Sequence, residues 1–489
     1  MTLLEQIDQW HQRAPQRLAH ISGAQTLTYA ELFQRSNALA LALRHKLTPS
    51  AEPVAVLGHK ESEMLVAFLG CVKAGRPYIP LDISLPAGRV ETILTASGAP
   101  LLLTPATVRA WSDEFLDQTA DFQPAPLTPD APWYIIFTSG STGAPKGVVI
   151  TRQNLESFVG WSQAEQNFLP AGEVFLNQAP FSFDLSVMDL YSSLASGGTL
   201  FSLTRELIAE PKKIFAALTE SRVSVWVSTP SFAQLCLAEP TFRQEMLPSA
   251  RKFWFCGETL TPEVAASLLK RFPAAEVWNT YGPTEATVAT TSLRVDADIL
   301  AAYAPLPVGR PKPNSRILIL TNGLQAEAGQ RGEIVIAGQN VSAGYLHQPE
   351  LSARSFYQID SARAYRTGDM GHFQDGFLFF DGRMDFQIKL HGYRIEIGDI
   401  EANLQALTGV RDAVVLPILK SNKVEYLAAF VILQQAQSGS TFEISRALKR
   451  ELGARLPDYM IPRKFVFLPD FPMTPNGKAD RRKLAERLA

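Results

Sequence analysis

The chain has 489 residues, of which 46% are hydrophobic and 19% charged, and its formal net charge is −2 at pH 7. This length exceeds that of one ordinary hydrophobic core and predicts two or more domains. The near-neutral charge excludes the basic surface of a nucleic-acid-binding protein. The sequence lacks a signal-like apolar core at its start and any apolar run long enough to span a bilayer. Cys71, Cys236 and Cys256 are too widely spaced for a zinc site or a disulfide framework, so we expect a cytoplasmic protein.

The first hundred residues alternate between strand and helix patterns. Thr28 and Glu31 form a capping box that begins a helix over residues 29–45. The later pattern is a strand at PVAVLG, a helix ending at Gly75, a strand at PYIPLD, a helix over 86–97 and a strand at PLLLT. Strands that alternate with helices predict a mainly parallel sheet covered on both faces.

Three more buried strands follow, and each ends in polar or glycine residues: VSVWVST (223–229), KFWFCG (252–257) and EVWNTYG (276–282). Ligands of open α/β sheets bind at such carboxyl ends. After residue 305 the short strands RILIL, GEIVIAG and GFLFFDGR predict a small β-rich subdomain.

A separate α+β pattern begins near Asp385. A helical stripe is followed by the strands DAVVLPIL and YLAAFVIL and by a second stripe; the stripes are Ile397, Ile400, Leu404 and Leu407, then Ile444, Leu448 and Leu452. A segment of this size with its own core is a domain. We therefore predict an α/β fold with mixed and parallel sheets in domain 1–384 and a smaller α+β domain at 385–489.

The stretch FTSGSTGAPKGVVI (137–150) combines glycines, hydroxyls and a lysine between two apolar runs. Glycines allow close backbone approach, while hydroxyls and Lys146 suit anionic oxygen, so the stretch predicts a polyphosphate loop. A flexible linker is the alternative. The nucleotide-binding P-loop does not fit, because Pro145 and Gly147 replace its glycine and its magnesium-binding hydroxyl.

Three other polar clusters have weaker individual signals. In NTYGPTEAT (279–287), Tyr281 can stack on a base and Glu285 can hold Mg²⁺, although a simple turn explains the same residues. In YRTGD (365–369), Asp369 can accept the hydroxyls of a ribose. In PMTPNGK (472–478), local chemistry favours a solvated turn for Lys478.

Taken together, these stretches resemble the adenylate-forming superfamily of acyl-CoA ligases, luciferases and nonribosomal-peptide adenylation domains. The resemblance covers essentially the whole chain and includes GRMDFQIKLHGYRIEIGDIE (382–401) and PMTPNGKADRRKL (472–484). It implies a large adenylation domain that binds ATP and the amino acid, and a mobile C-terminal lid that carries the catalytic lysine.

The resemblance also implies roles for particular residues. Those expected to bind the β- and γ-phosphates are Thr138, Ser139, Gly140, Ser141, Thr142, Gly143 and Lys146. Those expected around the nucleoside are Asn279, Thr280 and Tyr281 near adenine, and Asp369 and Arg383 near the ribose. Thr284 is expected near the α-phosphate and Glu285 at Mg²⁺, while Lys478 would bridge the substrate carboxylate and the α-phosphate.

The branch that the chain resembles most activates D-alanine, as the stretch LNQAPFSFDLSVMDLYSSLASGGTL (176–200) suggests. Asp184 would pair with the substrate ammonium, although a turn or N-cap aspartate is the simpler interpretation without the resemblance. The residues expected to line the side-chain pocket are Leu185, Met188, Cys256, Thr280 and Val288. Cys256 is expected to pack rather than to react.

A second half-reaction is implied, in which the C-terminal domain rotates about Asp385 and brings the segment around Gly392 to the site. The acceptor would be a phosphopantetheine thiol. Because eleven residues follow Lys478, we expect a separate partner: a small carrier protein serving alanylation of teichoic acid or another envelope polymer, or coenzyme A.

Three other functions remain open. The enzyme could activate another small amino acid, such as L-alanine or proline, for a biosynthetic carrier protein. An acyl-CoA ligase is disfavoured by Asp184, and a nucleotide-binding module without catalysis is disfavoured by Glu285 together with Lys478.

Overall fold

A computed structural model describes residues 1–140, 144–170, 172–327, 329–384, 387–390, 393–420, 423–435, 440–473 and 479–488. Contacts divide the chain into two compact units. The first comprises Met1–Asp82, Ser97–Ile136 and Gly147–Met384, and the second comprises Ile83–Ala96, Phe137–Lys146 and Asp385–Ala489. The predicted domain boundary at Asp385 stays a prediction.

The largest sheet of the first unit is mainly parallel, with antiparallel pairs toward both edges. In spatial order its strands are Arg310–Pro311, Thr291–Val295, Glu276–Tyr281, Lys252–Phe255, Val225–Ser228, Val174–Asn177, Thr199–Ser202, Leu18–Ser22 and Gln25–Thr28. Side chains alternate across it: Trp254 packs into one apolar core, while Phe253 and Phe255 pack into another. Both faces are therefore buried, as the apolar strand sequences predict.

A second sheet contains parallel strands from the start of the chain. Its strands in order are Gly344–Tyr345, Lys146–Thr151, Pro132–Thr138, Tyr78–Asp82, Val54–Gly58 and Leu102–Leu103. The predicted β-rich subdomain is an antiparallel sheet, in which Phe377–Arg383 also pairs with Ala362–Gln374. Its other strands in order are Leu324–Gln325, Ser315–Thr321, Gly332–Gly338, Ala362–Gln374 and Phe356–Ile359.

The three helices of the first hundred residues for which bounds are predicted, 29–45, the one ending at Gly75 and 86–97, are observed as Tyr29–Lys46, Ser62–Lys73 and Ala87–Ser97. In chain order, the helices of the described residues are Leu3–Asp8, Trp10–Arg13, Tyr29–Lys46, Ser62–Lys73, Ala87–Ser97, Pro105–Phe115, Arg152–Gln166, Leu185–Ser196, Arg205–Ala209, Pro211–Ser221, Pro230–Leu237, Pro262–Arg271, Ala297–Ala302, Pro349–Ser355, Ile397–Gln405, Thr441–Gly453 and Arg481–Glu486, with 3-10 turns at Leu116–Gln118, Thr284–Ala286 and Asp458–Met460. The predicted capping box is present: Thr28 Oγ1 accepts the Glu31 N–H, and the Glu31 carboxylate accepts the Thr28 N–H.

The second unit has its own core around the helices Ile397–Gln405 and Thr441–Gly453. Its strands are Gln387–Leu390 paired with Tyr393–Glu396, and Val410–Lys420, Lys423–Leu433 and Lys464–Phe467 in a separate sheet. The first predicted helical stripe is wrong at Leu407. The helix ends at Gln405, and Leu407 lies in the loop that follows it. A buried loop residue can continue an apolar pattern, and Leu407 is buried against the same core.

Candidate functional site

Asp369 lies at the centre of a buried polar group in the first unit. It follows Gly368, whose φ of +70° is a conformation that favours glycine. The Asp369 N–H donates to Thr367 Oγ1 at 2.9 Å, and that hydroxyl donates to the Ile334 carbonyl oxygen at 2.7 Å. The Asp369 carboxylate accepts from the Arg383 guanidinium through Oδ1. Backbone and side-chain contacts therefore hold the carboxylate in one direction.

Tyr281 completes this group. It ends the strand Glu276–Tyr281, and its hydroxyl donates to Asp369 Oδ2 at 2.5 Å. Burial and the adjacent Asp369 carboxylate raise the pKa of Tyr281 well above its usual value, so the phenol keeps its proton and remains a donor. The structure thus brings together three residues predicted around the nucleoside, Tyr281, Asp369 and Arg383, from separate parts of the sequence.

The two residues before Tyr281 bind the scaffold. The Asn279 amide donates to the Pro307 carbonyl oxygen at 2.9 Å, and Thr280 Oγ1 donates to the Phe255 carbonyl oxygen at 2.6 Å. Both side chains are buried. Their predicted contact with adenine stays a prediction, and the hydrogen bonds show a structural role that the sequence did not indicate.

Glu285 lies in the 3-10 turn Thr284–Ala286 that follows this strand. Its side chain is fully buried, and Oε1 accepts a hydrogen bond from the Tyr345 hydroxyl at 2.9 Å. The turn is fixed from outside by Asn340, whose amide donates to the Ala286 carbonyl oxygen and to Thr290 Oγ1, both at 2.9 Å. Thr284, which begins the turn, is also buried.

Four of the five residues predicted to line an amino-acid pocket share one apolar core: Leu185, Met188, Cys256 and Val288. Cys256 Sγ lies 3.5 Å from the Val288 carbonyl oxygen. Asp184 is half-buried at the N-cap of the helix Leu185–Ser196, and among the described residues its side chain makes no capping hydrogen bond. Asp184 thus has the N-cap position that the simpler interpretation predicts but not its hydrogen bond, and its contact with the substrate ammonium stays a prediction.

The predicted phosphate loop belongs to the second unit. Thr138 ends the strand Pro132–Thr138, and within the described ranges its buried Oγ1 has no hydrogen-bond partner. Ser139 Oγ accepts the Glu396 N–H at 3.1 Å. A Cβ at Gly140 would collide with the Ala144 carbonyl oxygen, so this tight turn requires glycine. Lys146 begins the strand Lys146–Thr151.

Several predicted residues lie outside the described residues: Ser141, Thr142, Gly143, Asp385, Gly392 and Lys478. Sequence reasoning also missed residues that hold the site in place, namely Thr367, Tyr345 and Asn340. Thr367 lies within the YRTGD stretch and could have been weighed as a backbone-binding hydroxyl. Tyr345 and Asn340 carry no local signal, because their partners are 60 and 54 residues away.

In the part of the chain that the structure describes, no group of three or more His, Cys, Asp or Glu side chains is arranged to hold a metal ion. Every helix in those same residues is too short or too polar to cross a membrane.

Family comparisons match most of the chain. Residues 7–346 match the family described as AMP-binding enzyme, and residues 399–478 match the AMP-binding enzyme C-terminal domain. Proteins named D-alanine–D-alanyl carrier protein ligase from Bacillus cytotoxicus and Bacillus cereus are each 49% identical over 504 aligned residues, covering 100% of both chains.

Solved structures share the fold at lower identity. The Vibrio cholerae adenylation domain AlmE, in complex with glycyl-adenosine-5′-phosphate, superposes with a TM-score of 0.84 at 22% identity, covering 99% of this chain and 97% of that one. The o-succinylbenzoate CoA synthetase of Bacillus subtilis gives 0.85 at 23% identity, covering 99% and 98%. These likenesses confirm the predicted fold class. The family matches and the full-length relatives show that the chain belongs to the AMP-binding, adenylate-forming enzyme family, as its motifs indicated.

Proposed function

We propose that this enzyme activates D-alanine with ATP and transfers the D-alanyl group to the phosphopantetheine thiol of a separate carrier protein. The observation that carries the proposal is the 49% identity to named D-alanine–D-alanyl carrier protein ligases over the full length of both chains. We further propose a cytoplasmic location and a role in D-alanylation of teichoic acid or another envelope polymer. Three buried free thiols are compatible with a reducing compartment.

Asp369 is proposed to accept hydrogen bonds from the ribose hydroxyls of ATP. A carboxylate has about four lone-pair sites, and two of them accept from Tyr281 and Arg383. Two sites remain for a vicinal diol. With its hydroxyl directed at Asp369, Tyr281 would present its ring to the adenine, while Asn279 and Thr280 support the strand end behind it.

The proposal assigns the β- and γ-phosphates to residues 138–143 and Lys146, and the α-phosphate to Thr284. The buried Thr138 Oγ1, which has no partner among the described residues, supports a donor to phosphate oxygen. The tight turn at Gly140 supports close approach of the backbone to an anion.

Glu285 is proposed to hold Mg²⁺. Its carboxylate is fully buried and oriented by Tyr345, and Mg²⁺ is commonly held by one or two carboxylates together with substrate phosphates. When bound, the ion would neutralise charge on the phosphates and favour departure of pyrophosphate.

Lys478 is proposed to bridge the substrate carboxylate and the α-phosphate. A carboxylate oxygen of the amino acid attacks the α-phosphorus, pyrophosphate leaves, and the acyl-adenylate forms. Negative charge increases on the α-phosphate oxygens during this step, so a cation placed there stabilises the transition state.

The second step is proposed to use a domain division at 1–384 and 385–489, with a hinge at Asp385. Rotation about such a short linker would remove Lys478 and admit the carrier thiol, aided by the segment around Gly392. The thiolate then attacks the acyl carbon and AMP leaves.

The amino acid is proposed to bind with its ammonium at Asp184 and its methyl group against the buried set Leu185, Met188, Cys256 and Val288. The small apolar space expected there favours alanine. Glycine, L-alanine and proline are the competing substrates of the alternative function.

ATP–pyrophosphate exchange tests the proposal against a panel of D-alanine, L-alanine, glycine, proline and a fatty acid. We expect D-alanine to give the highest kcat/KM, and a phosphopantetheinylated D-alanyl carrier protein to become acylated in a second assay. The apo carrier, which lacks the thiol, is the matched control. Preference for L-alanine or proline would support the alternative amino-acid ligase and reject the D-alanine assignment.

A further inference from the structure

Lys60 is a buried cation that the proposed chemistry does not use. It lies two residues after the strand Val54–Gly58 and is 1% exposed. Its ammonium donates to the carbonyl oxygens of Asn177 at 3.0 Å, Gln178 at 2.7 Å and Leu203 at 2.9 Å. These bonds use all three N–H groups of the ammonium. Burial lowers the pKa of Lys60 to about 7, while the carboxylates of Asp189 and Asp82 act in the opposite direction.

The three acceptors lie where two neighbouring parallel strands end. Asn177 is the last residue of Val174–Asn177, and Leu203 directly follows Thr199–Ser202, the strand beside it. Gln178 begins the segment 178–183, which connects the strand Val174–Asn177 to Asp184. Lys60 therefore binds the start of the segment that carries the proposed ammonium ligand.

A second set of buried contacts joins the start of this segment to the helix that follows it. The Asn177 amide donates to the Ala179 carbonyl oxygen at 3.1 Å and to the Asp189 carboxylate at 3.2 and 3.3 Å. Its Oδ1 accepts from Ser202 Oγ at 2.8 Å. Asp189 is fully buried on the helix Leu185–Ser196, so Asn177 connects the strand end to the helix that Asp184 begins.

We propose that Lys60 and Asp189 are positioning residues for amino-acid recognition: together they fix the segment 178–183 and hence the direction of the Asp184 carboxylate. This inference rests on the proposed role of Asp184. The direction of the Asp184 side chain depends on the backbone of the segment before it, so a shift of that segment would move the carboxylate. Loss of the Lys60 ammonium would remove one donor from three buried carbonyl oxygens, and loss of the Asp189 carboxylate would remove the acceptor of the Asn177 amide. We expect the loss of binding to affect the amino acid and not ATP, because the Asp369 group proposed to bind the nucleoside lies on other strands.

The test compares Lys60→Met and Asp189→Asn with a matched control, Lys73→Met. Lys73 is equally buried, but it binds Asp8 at 2.9 Å, Ser36 at 2.9 Å and Asn37 at 2.8 Å, far along the chain from segment 178–183. Pyrophosphate exchange gives KM for D-alanine and for ATP, and thermal unfolding gives Tm. We expect Lys60→Met to raise KM for D-alanine about tenfold, the effect of one ordinary hydrogen bond, with KM for ATP changed less than about twofold.

Asp189→Asn keeps the size of the side chain and is expected to raise KM for D-alanine by about threefold, again with little change for ATP. Lys73→Met should lower Tm while leaving the ratio of the two KM values unchanged. If Lys60→Met does not fold, the KM values of Asp189→Asn for D-alanine and ATP test the inference instead. An unchanged KM ratio in the folded variants overturns the inference. A wild-type enzyme that ignores D-alanine rejects the proposed substrate instead, and the two failures are thereby distinguished.

Discussion

We expect Asp369→Asn to weaken the interaction with ATP, because Asp369 is proposed to accept hydrogen bonds from the ribose hydroxyls. The carboxylate accepts from Tyr281 at 2.5 Å and from Arg383, and both partners are donors. An asparagine keeps one acceptor oxygen, and its NH₂ group would face a donor. The ribose hydroxyls would then lose charge-assisted acceptors.

The magnitude follows from the difference between hydrogen bonds to charged and to neutral groups. That difference is about 1–1.5 kcal/mol for each bond, so two ribose hydroxyls give about 2–3 kcal/mol. The expected loss is roughly 30- to 150-fold in kcat/KM for ATP. KM for D-alanine should be nearly unchanged.

Pyrophosphate exchange with ATP, 2′-deoxy-ATP and 3′-deoxy-ATP measures this effect directly. The wild type should discriminate against both deoxy analogues, and Asp369→Asn should lose most of that discrimination. Tyr281→Phe is the matched control, because it removes the 2.5 Å bond but leaves the carboxylate and the ring. It should lower Tm and keep the discrimination. If Asp369→Asn discriminates as strongly as the wild type, Asp369 does not bind the ribose.

Four other predictions concern the remaining groups. Lys478→Ala should slow adenylation by about 10²- to 10³-fold and leave thioester transfer from supplied D-alanyl-adenylate intact; an equal loss in both steps would contradict its assigned role. Asp184 is half-buried, so Asp184→Asn should cost about 2–3 kcal/mol in kcat/KM for D-alanine, below the ~3–5 kcal/mol of a buried pair; normal exchange with D-alanine would remove Asp184 from the site. Cys256→Ala should improve L-alanine exchange more than D-alanine exchange, and an unchanged ratio would exclude Cys256 from chiral selection. His20 is fully buried, and burial lowers its pKa from 6.5 to about 3. Between these two pH values the unfolded chain binds a proton at His20 that the folded chain does not bind. The free energy of unfolding therefore decreases as the pH falls from 6.5 toward 3. From pH 7 to pH 4 this effect should lower the free energy of unfolding, measured by urea titration, by about 3 kcal/mol. The loss should be correspondingly smaller in His20→Gln. If the free energies of unfolding of the two proteins fall in parallel with pH, the prediction is wrong.

Much of this protein could be predicted from its local sequence. Strand and helix signals depend on apolar periodicity and caps within a few residues, as the capping box at Thr28 and Glu31 shows. The motifs around Ser139, Glu285 and Asp369 are also local, because each combines glycines with hydroxyls or a carboxylate within a few residues. Ser139 and Glu285 follow strand ends, whereas Asp369 lies within the strand Ala362–Gln374. The family follows from these motifs in order.

The tertiary structure decided which of these groups act together and what holds them. Tyr281 and Asp369 are 88 residues apart, and Lys60 binds carbonyl groups 117–143 residues away. Each of these contacts joins strands of two different sheets: Tyr281 and Asp369 lie in the largest and the antiparallel sheet, and Lys60 follows a strand of the second sheet while its acceptors lie at strand ends of the largest one. In a short stretch of sequence, a lysine or tyrosine that becomes buried cannot be distinguished from one that stays exposed. Its partners, and therefore its charge state and function, are fixed by the packing of strands that the local sequence does not specify.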